Sequence, residues 1–264
     1  MLLPSFFVTT TALTPVSQNR DSRRLLEVRA TTGSTFLSNE VEILEGISEP
    51  FEQAQWMMPT IVERALIHQE TVDPFALLER LDMSSYDREE AIVALERHDA
   101  VITIPILTPP ECKKLIDFVN KQIRDDGVDD VDGCPDWQVN LNEKKLGKIV
   151  GKDVIKRLWA VPSILDPEAK EFSRVGVFIR KYERGARPWM PFHKDDNRWT
   201  VNVALNGDNE FVGGRLMALH NRALQLIERK EGDATCHEGR LYHGVSAIRD
   251  GTRYSMIMFF HQKP

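Results

Sequence analysis

The sequence predicts an α+β protein in which a helical first part precedes an all-β region of sandwich or barrel type. Three observations predict it. A helical pattern runs from about Phe51 to His98, and a well-marked helix start stands at Thr108. After about Phe172 the texture changes to short alternating runs divided by turn residues.

Residues 1–50 lack clear periodicity. Met1 to Val8 is mildly apolar, but the basic residues Arg20, Arg23 and Arg24 follow it, whereas a secretory signal carries its charge in front. A strand or loosely held tail is the favoured reading, with a transit-like leader as the alternative. Ser84 or Ser85 is placed to cap a helix whose apolar face includes Ala91, Ile92 and Leu95. Val101 to Leu107 reads as a strand. Thr108 then stands at an N-cap, with Pro109 at the first helical position and Glu111 three residues after the cap. Cys112, Leu115, Ile116 and Val119 recur on one face of that helix. The segment that follows carries Asp125, Asp126, Asp129, Asp130 and Asp132. It fails as a calcium loop, because Gly127 and Gly133 would put Gln122 or Val128 at the first ligand position. It reads as a solvated loop, with a lid as the sharper alternative. The strands are expected at 175–182, 190–195, 199–205, 214–219, 223–229, 233–237, 241–248 and 253–260. Gly213-Gly214 makes a turn among them. A boundary near Ala100 divides the chain into a mostly helical extension, 1–99, and a second unit, 100–264.

Bulk properties narrow the function. Of 264 residues 42% are hydrophobic and 28% charged, a composition neither disordered nor membrane-like. No stretch approaches the ~18 apolar residues of a membrane span. A net charge of −6 argues against the basic stripe of a nucleic-acid binder. Cys112, Cys134 and Cys236 are odd in number and widely spaced, so neither a zinc knuckle nor a disulfide framework is expected. That usage fits a reducing compartment, and an intracellular, cytoplasmic location is expected.

The chemistry concentrates in Pro191-Phe192-His193-Lys194-Asp195. On a strand, residues two apart share a face, so His193 and Asp195 would converge as two ligands of a facial triad. The plain alternative is a surface His–Asp pair. A third ligand should come from a later strand: His243 stands 50 residues on, and His237 is its rival. Arg253, ten residues after His243, shares a face with Ser255. A guanidinium inside an apolar barrel calls for an anion, and its planar fork beside a hydroxyl suits a carboxylate. An internal Arg–carboxylate bridge is the alternative. Trp189, Met190 and Trp199 flank the motif as pocket candidates, and Asn202 on the next strand is a weaker one.

The order of these pieces resembles the prolyl 4-hydroxylase-like branch of the 2-oxoglutarate/Fe(II) dioxygenases. The matching pieces are Lys181-Tyr182-Glu183-Arg184-Gly185, His193-x-Asp195, Gly213-Gly214, His243-Gly244-Val245 and Gly251-x-Arg253-Tyr254-Ser255. The Ile104-Pro105 strand and the Pro109-Pro110-Glu111-Cys112 helix resemble the segment that opens such domains. The resemblance covers 174–261 strongly, 100–170 faintly and 1–99 not at all. It implies a double-stranded β-helix (jelly-roll) core at about 174–261, buttressed by N-terminal helices. It implies that His193, Asp195 and His243 bind Fe(II), and that Arg253 binds the distal carboxylate of 2-oxoglutarate with Ser255 or Tyr182 assisting. O₂ is the other cosubstrate, succinate a product, and ascorbate a candidate reductant. A carboxylate at Asp195 argues against halogenation, since related halogenases carry a small residue there. Arg253 in place of lysine departs from animal collagen-type enzymes and weakens a specific claim of collagen prolyl hydroxylation.

Three functional classes follow: an active hydroxylase, a non-catalytic β-helix serving as a binding module, and a cupin-like metalloenzyme without 2-oxoglutarate. The first leads, because no ligand is lost and because the third leaves Arg253-x-Ser255 unexplained. The expected substrate is a prolyl or lysyl residue in a peptide. A free amino acid or other small metabolite is the alternative, and neither a nucleic-acid nor a membrane partner is expected.

Overall fold

A computed structural model describes residues 50–70, 72–97, 101–122, 136–169, 171–185 and 187–262. The expected acidic loop at 125–132, the readings on residues 1–49, Cys134 and His98 lie outside these. The described helices, in chain order, are α1 (Pro50–Ile67), α2 (Pro74–Arg80), α3 (Ser85–Leu95), α4 (Pro109–Val119), α5 (Glu143–Val150), α6 (Lys152–Ala160) and α7 (Pro162–Leu165). The strands are β1 (Val101–Pro105), β2 (Gln138–Leu141), β3 (Phe172–Glu183), β4 (Met190–His193), β5 (Trp199–Ala204) and β6 (Val212–Gly213). They continue as β7 (Leu216–His220), β8 (Ala223–Leu226), β9 (Asp233–Glu238), β10 (His243–Val245), β11 (Ile248–Asp250) and β12 (Thr252–Gln262).

Local chemistry places the helices where the sequence puts them. The Ser84 hydroxyl accepts the Asp87 backbone N–H and so caps α3. At α4 the Glu111 carboxylate accepts the Thr108 backbone N–H at 2.8 Å, and Pro109 occupies the first turn. Cys112, Leu115 and Val119 are buried on the face the periodicity marks.

Every strand pairing is antiparallel. A larger sheet runs in the order β1-β9-β5-β12-β3-β2, and a smaller one in the order β4-β10-β7-β8; β11 and β6 form a short ribbon. The two sheets face each other as a jelly roll, and the period-2 alternation of their strands sorts inside from outside. Arg174, Gly176, Phe178, Arg180 and Tyr182 of β3 line the space between the sheets. Ile179 points the other way, into a core shared with α4, α5 and α6. On β12, Ile257 and Phe259 face inward, while Met256, Met258 and Phe260 join that same helix-side core. The smaller sheet is covered too: Phe192, Met217, Leu219, Leu224 and Tyr242 pack with Val62 of α1, Leu77 and Leu78 of α2, and Ala91 and Leu95 of α3. Helix α1 is pinned further by Thr60, whose hydroxyl accepts the Ala247 N–H at 2.8 Å, and by Glu63, which pairs with Arg249 at 3.3 Å.

Two glycines permit close approaches, at Gly213 one that no other residue fits. Gly213 has φ 75°, and a Cβ there would lie 2.0 Å from the Ala247 carbonyl oxygen. Gly244 lets β10 approach β4, since a Cβ would press on the Met190 carbonyl at 3.2 Å. That approach sets His243 directly opposite His193.

Candidate active site

A cavity of ≈ 360 Å³ opens between the sheets, with His193, Asp195 and His243 among the residues lining it. One ligand atom from each of these three lies within 4.8 Å of the others. His193 Nε2 is 3.4 Å from Asp195 Oδ1, and His243 Nε2 is 3.7 Å from Asp195 Oδ2. Each ring is oriented by its other nitrogen. His193 Nδ1 meets the Pro191 carbonyl at 2.8 Å and His243 Nδ1 the Leu241 carbonyl at 3.0 Å. With Nδ1–H donating there, Nε2 carries the lone pair that a metal ligand needs. Burial, and then the neighbouring imidazoles, push the His243 pKa down to about 3, opposed by Asp195. His243 is therefore neutral at physiological pH, the form that binds metal. Burial acts to raise the Asp195 pKa, but His243 and His193 hold it well below the usual carboxylate range. The Thr200 hydroxyl donates to Asp195 Oδ2 at 2.5 Å and fixes the carboxylate's turn.

Arg253 and Ser255 are not among the cavity-lining residues; Arg253 is 1% exposed and stands against Tyr182, which does line the cavity, with its Cζ 4.6 Å from the centre of that ring. Its Nε, Nη1 and Nη2 and the hydroxyl of Ser255 are buried and make no hydrogen bond to the described residues. Such donors are costly to enclose unless an acceptor meets them. An anion with a planar carboxylate fits them.

Comparison with known proteins matches this geometry to a relationship. No family model matches the chain. Over 235 residues, 84% of this chain, it is 26% identical to a procollagen lysyl hydroxylase and glycosyltransferase of Acanthamoeba polyphaga mimivirus, of which it covers 25%. The chain is related to the 2-oxoglutarate-dependent dioxygenases. It is also 26% identical, over 60% of its length, to procollagen-lysine,2-oxoglutarate 5-dioxygenase 1 of Mus musculus, of which it covers 23%. It thus spans about a quarter of the length of these curated relatives. Among solved structures, a Trichoplax adhaerens prolyl hydroxylase in complex with a hypoxia inducible factor oxygen degradation domain peptide fragment superposes with TM-score 0.49 at 13% identity, covering 69% of this chain and 94% of that one.

The structure sorts the residues that the sequence singled out. His193, Asp195, His243, Tyr182, Met190 and Asn202 line one cavity. Trp199 does not join them. It lies on the opposite face of β5 and packs in the helix-side core with Val201 and Val203, because the inward face of that strand is the one that bears Thr200 and Asn202. Trp189 is buried just before β4 and is not among the cavity-lining residues. His237 stands behind His243 with ring centres 4.6 Å apart; its Nδ1 meets the Glu238 carbonyl, and its Nε2 is buried without a hydrogen-bond partner among the described residues. Three residues escaped the sequence reading. Thr200 shares the period-2 face of Asn202 and was findable from it. Arg180, which pairs with Asp136 at 2.9 Å, shares the period-2 face of Tyr182 and was findable in the same way, whereas Arg229, which pairs with Asp208 at 3.1 Å, lies beyond the end of β8 and leaves no periodic trace.

Proposed function

We propose that this chain couples oxidative decarboxylation of 2-oxoglutarate to hydroxylation of a prolyl or lysyl residue in a peptide. The observation that carries the reading is the joint geometry of two sites: a His-Asp-His cluster with both imidazole Nε2 atoms turned to one carboxylate, and an enclosed guanidinium and hydroxyl whose buried polar atoms make no hydrogen bond among the described residues. The donor set of two imidazoles and one carboxylate suits Fe(II), which would leave coordination positions for other ligands. Bound Fe(II), with 2-oxoglutarate and O₂, supplies the oxidising chemistry, and the protein supplies binding, aim and exclusion of water.

Each residue then has a task. His193, Asp195 and His243 hold the metal; Pro191, Leu241 and Thr200 hold those three in register. Arg253 and Ser255 bind the distal carboxylate, and Tyr182 flanks them. The apolar walls Phe178, Ile257 and Phe259 and the polar Gln138 and Asn140 of the cavity receive the substrate side chain. The peptidyl class rests on the lysyl hydroxylases to which the chain is similar. In the same reading residues 100–264 are the dioxygenase unit, and the helices before it are its buttress.

The test is succinate formation from 2-oxoglutarate with Fe(II), ascorbate and O₂, run with peptides that contain proline or lysine and with small-molecule pools. Succinate that rises with a peptide, together with a mass gain of one oxygen on that peptide, is expected. Failure of the purified protein to bind Fe(II) or 2-oxoglutarate would return the chain to the class of non-catalytic binding modules.

A further inference from the structure

Behind Tyr182 and Asn202, which line the cavity, more positive charge is enclosed than one carboxylate clamp needs. A second guanidinium, that of Arg229, is 4% exposed. Its Nη2 donates to Asp208 Oδ1 at 3.1 Å and its Nη1 to Asn202 Oδ1 at 3.2 Å. Asp208 is shared, since Arg215 also reaches it at 3.2 Å. Arg253 and Arg229 are therefore two enclosed cations served by one buried carboxylate. They feel each other: burial first, and then Arg229, bring the Arg253 pKa down to about 10. Enclosed charge of one sign is stable only when an opposite charge joins it.

The Arg229–Asn202 bond has a second effect. A guanidinium only donates, so the amide oxygen of Asn202 must be the atom that faces it. The amide nitrogen is thereby turned away from Arg229. Asn202 lines the cavity near Tyr182 and Thr200, and its side chain makes no other hydrogen bond among the described residues.

We propose that Arg229 is a positioning residue for the cosubstrate: it adds a second positive charge toward the distal carboxylate clamped by Arg253, and it holds Asn202 with its amide N–H groups presented to the bound ligand. This rests on the 2-oxoglutarate reading above. The rival role is structural, because Arg229 also staples two loops: its backbone N–H donates to Asp208 Oδ2 at 3.1 Å, and its carbonyl accepts the Asp208 N–H.

The experiment uses the full chain loaded with Mn(II). Calorimetric titration gives Kd for Mn(II), for 2-oxoglutarate, and for 2-oxopentanoate, which keeps the keto acid but lacks the distal carboxylate. In Arg229→Gln, Kd for 2-oxoglutarate is expected to rise at least about tenfold. Kd for Mn(II) and for 2-oxopentanoate should stay within about twofold, smaller than a single hydrogen bond accounts for. Arg229→Lys should recover part of the loss. An equal loss for both keto acids, or a parallel loss of Mn(II) binding, would make Arg229 a staple and overturn the proposal, as would an unchanged affinity for 2-oxoglutarate. Wild-type protein that binds Mn(II) but no 2-oxoglutarate would instead reject the cosubstrate reading itself.

Discussion

His193 and His243 turn Nε2 toward Asp195 with backbone carbonyls at their Nδ1 atoms; His237 also meets a carbonyl through Nδ1, that of Glu238, but it stands behind His243 and is not part of the His193-Asp195-His243 cluster. Removal of a ligand should therefore differ sharply from removal of a neighbour. His193→Ala, Asp195→Ala or His243→Ala should each weaken Fe(II) binding beyond the roughly 100-fold that loss of an outer partner costs, while His237→Ala stays within about tenfold. Anaerobic metal titration checks this, and the reverse order for His237 and His243 would exchange their roles. Arg253→Ala should raise Kd for 2-oxoglutarate at least about tenfold with Fe(II) affinity unchanged, since the proposed clamp would meet the cosubstrate and not the metal. Unchanged cosubstrate affinity would dismiss the clamp. These residues were legible because their spacing along strands encodes a shared face. Arg229 was not: it ended an expected strand run at 223–229, whereas β8 ends at Leu226, and its partner Asp208 is 21 residues away on another loop.

Strand β4 and helix α3 are joined by a cluster of charges. Lys194, between two proposed metal ligands, pairs with Asp87 at 2.5 Å and with Glu90 at 3.0 Å. Asp87 first, and Glu90 with it, raise the Lys194 pKa, so the cation persists across the physiological range. Lys194→Met should release this tie without emptying a core. Amide hydrogen exchange across 85–95 is expected to quicken several-fold while exchange across 109–119 stays as it is; equal protection of α3 in both proteins would show that the apolar face of α3 holds it alone. The caps of α3 and α4 were readable, since capping is a local bargain between residues three apart. Helix α5 has such a cap too, Asn142 accepting the Lys145 N–H at 2.8 Å, which the sequence reading passed over, whereas α6 and α7 have no side-chain cap bond; the tie between Lys194 and α3 spans more than a hundred residues, a distance at which sequence pattern is silent.

At the scale of the whole molecule the helices are the outer walls of a two-sheet core, and the smaller sheet depends on α1, α2 and α3 for its cover. Deleting residues 1–99 would bare Phe192, Met217, Leu219, Leu224 and Tyr242. At about 1.5–3 kcal/mol for each large apolar side chain returned to water, that loss rivals the roughly 5–15 kcal/mol that holds a domain folded. The truncated chain should aggregate or lose cooperative unfolding; a monodisperse product with an unchanged Tm would mean that the buttress is dispensable. The α+β class and the run of strands were readable from period-2 texture, but the order of strands within each sheet was not, because register is settled by partners distant in the chain. One such pairing shapes how the protein comes into being. Strand β12 sits between β5 and β3, matched to β3 from Thr252↔Glu183 to Gln262↔Phe172. A nascent chain made only as far as residue 250 already includes all three proposed metal ligands, yet it lacks an inner strand of the larger sheet and, with it, Arg253 and Ser255. Contacts between such remote segments form late. On the proposed reading an unfinished chain would have its candidate metal ligands but not the cosubstrate clamp, so turnover would wait until synthesis has delivered the strand that completes the reaction chamber.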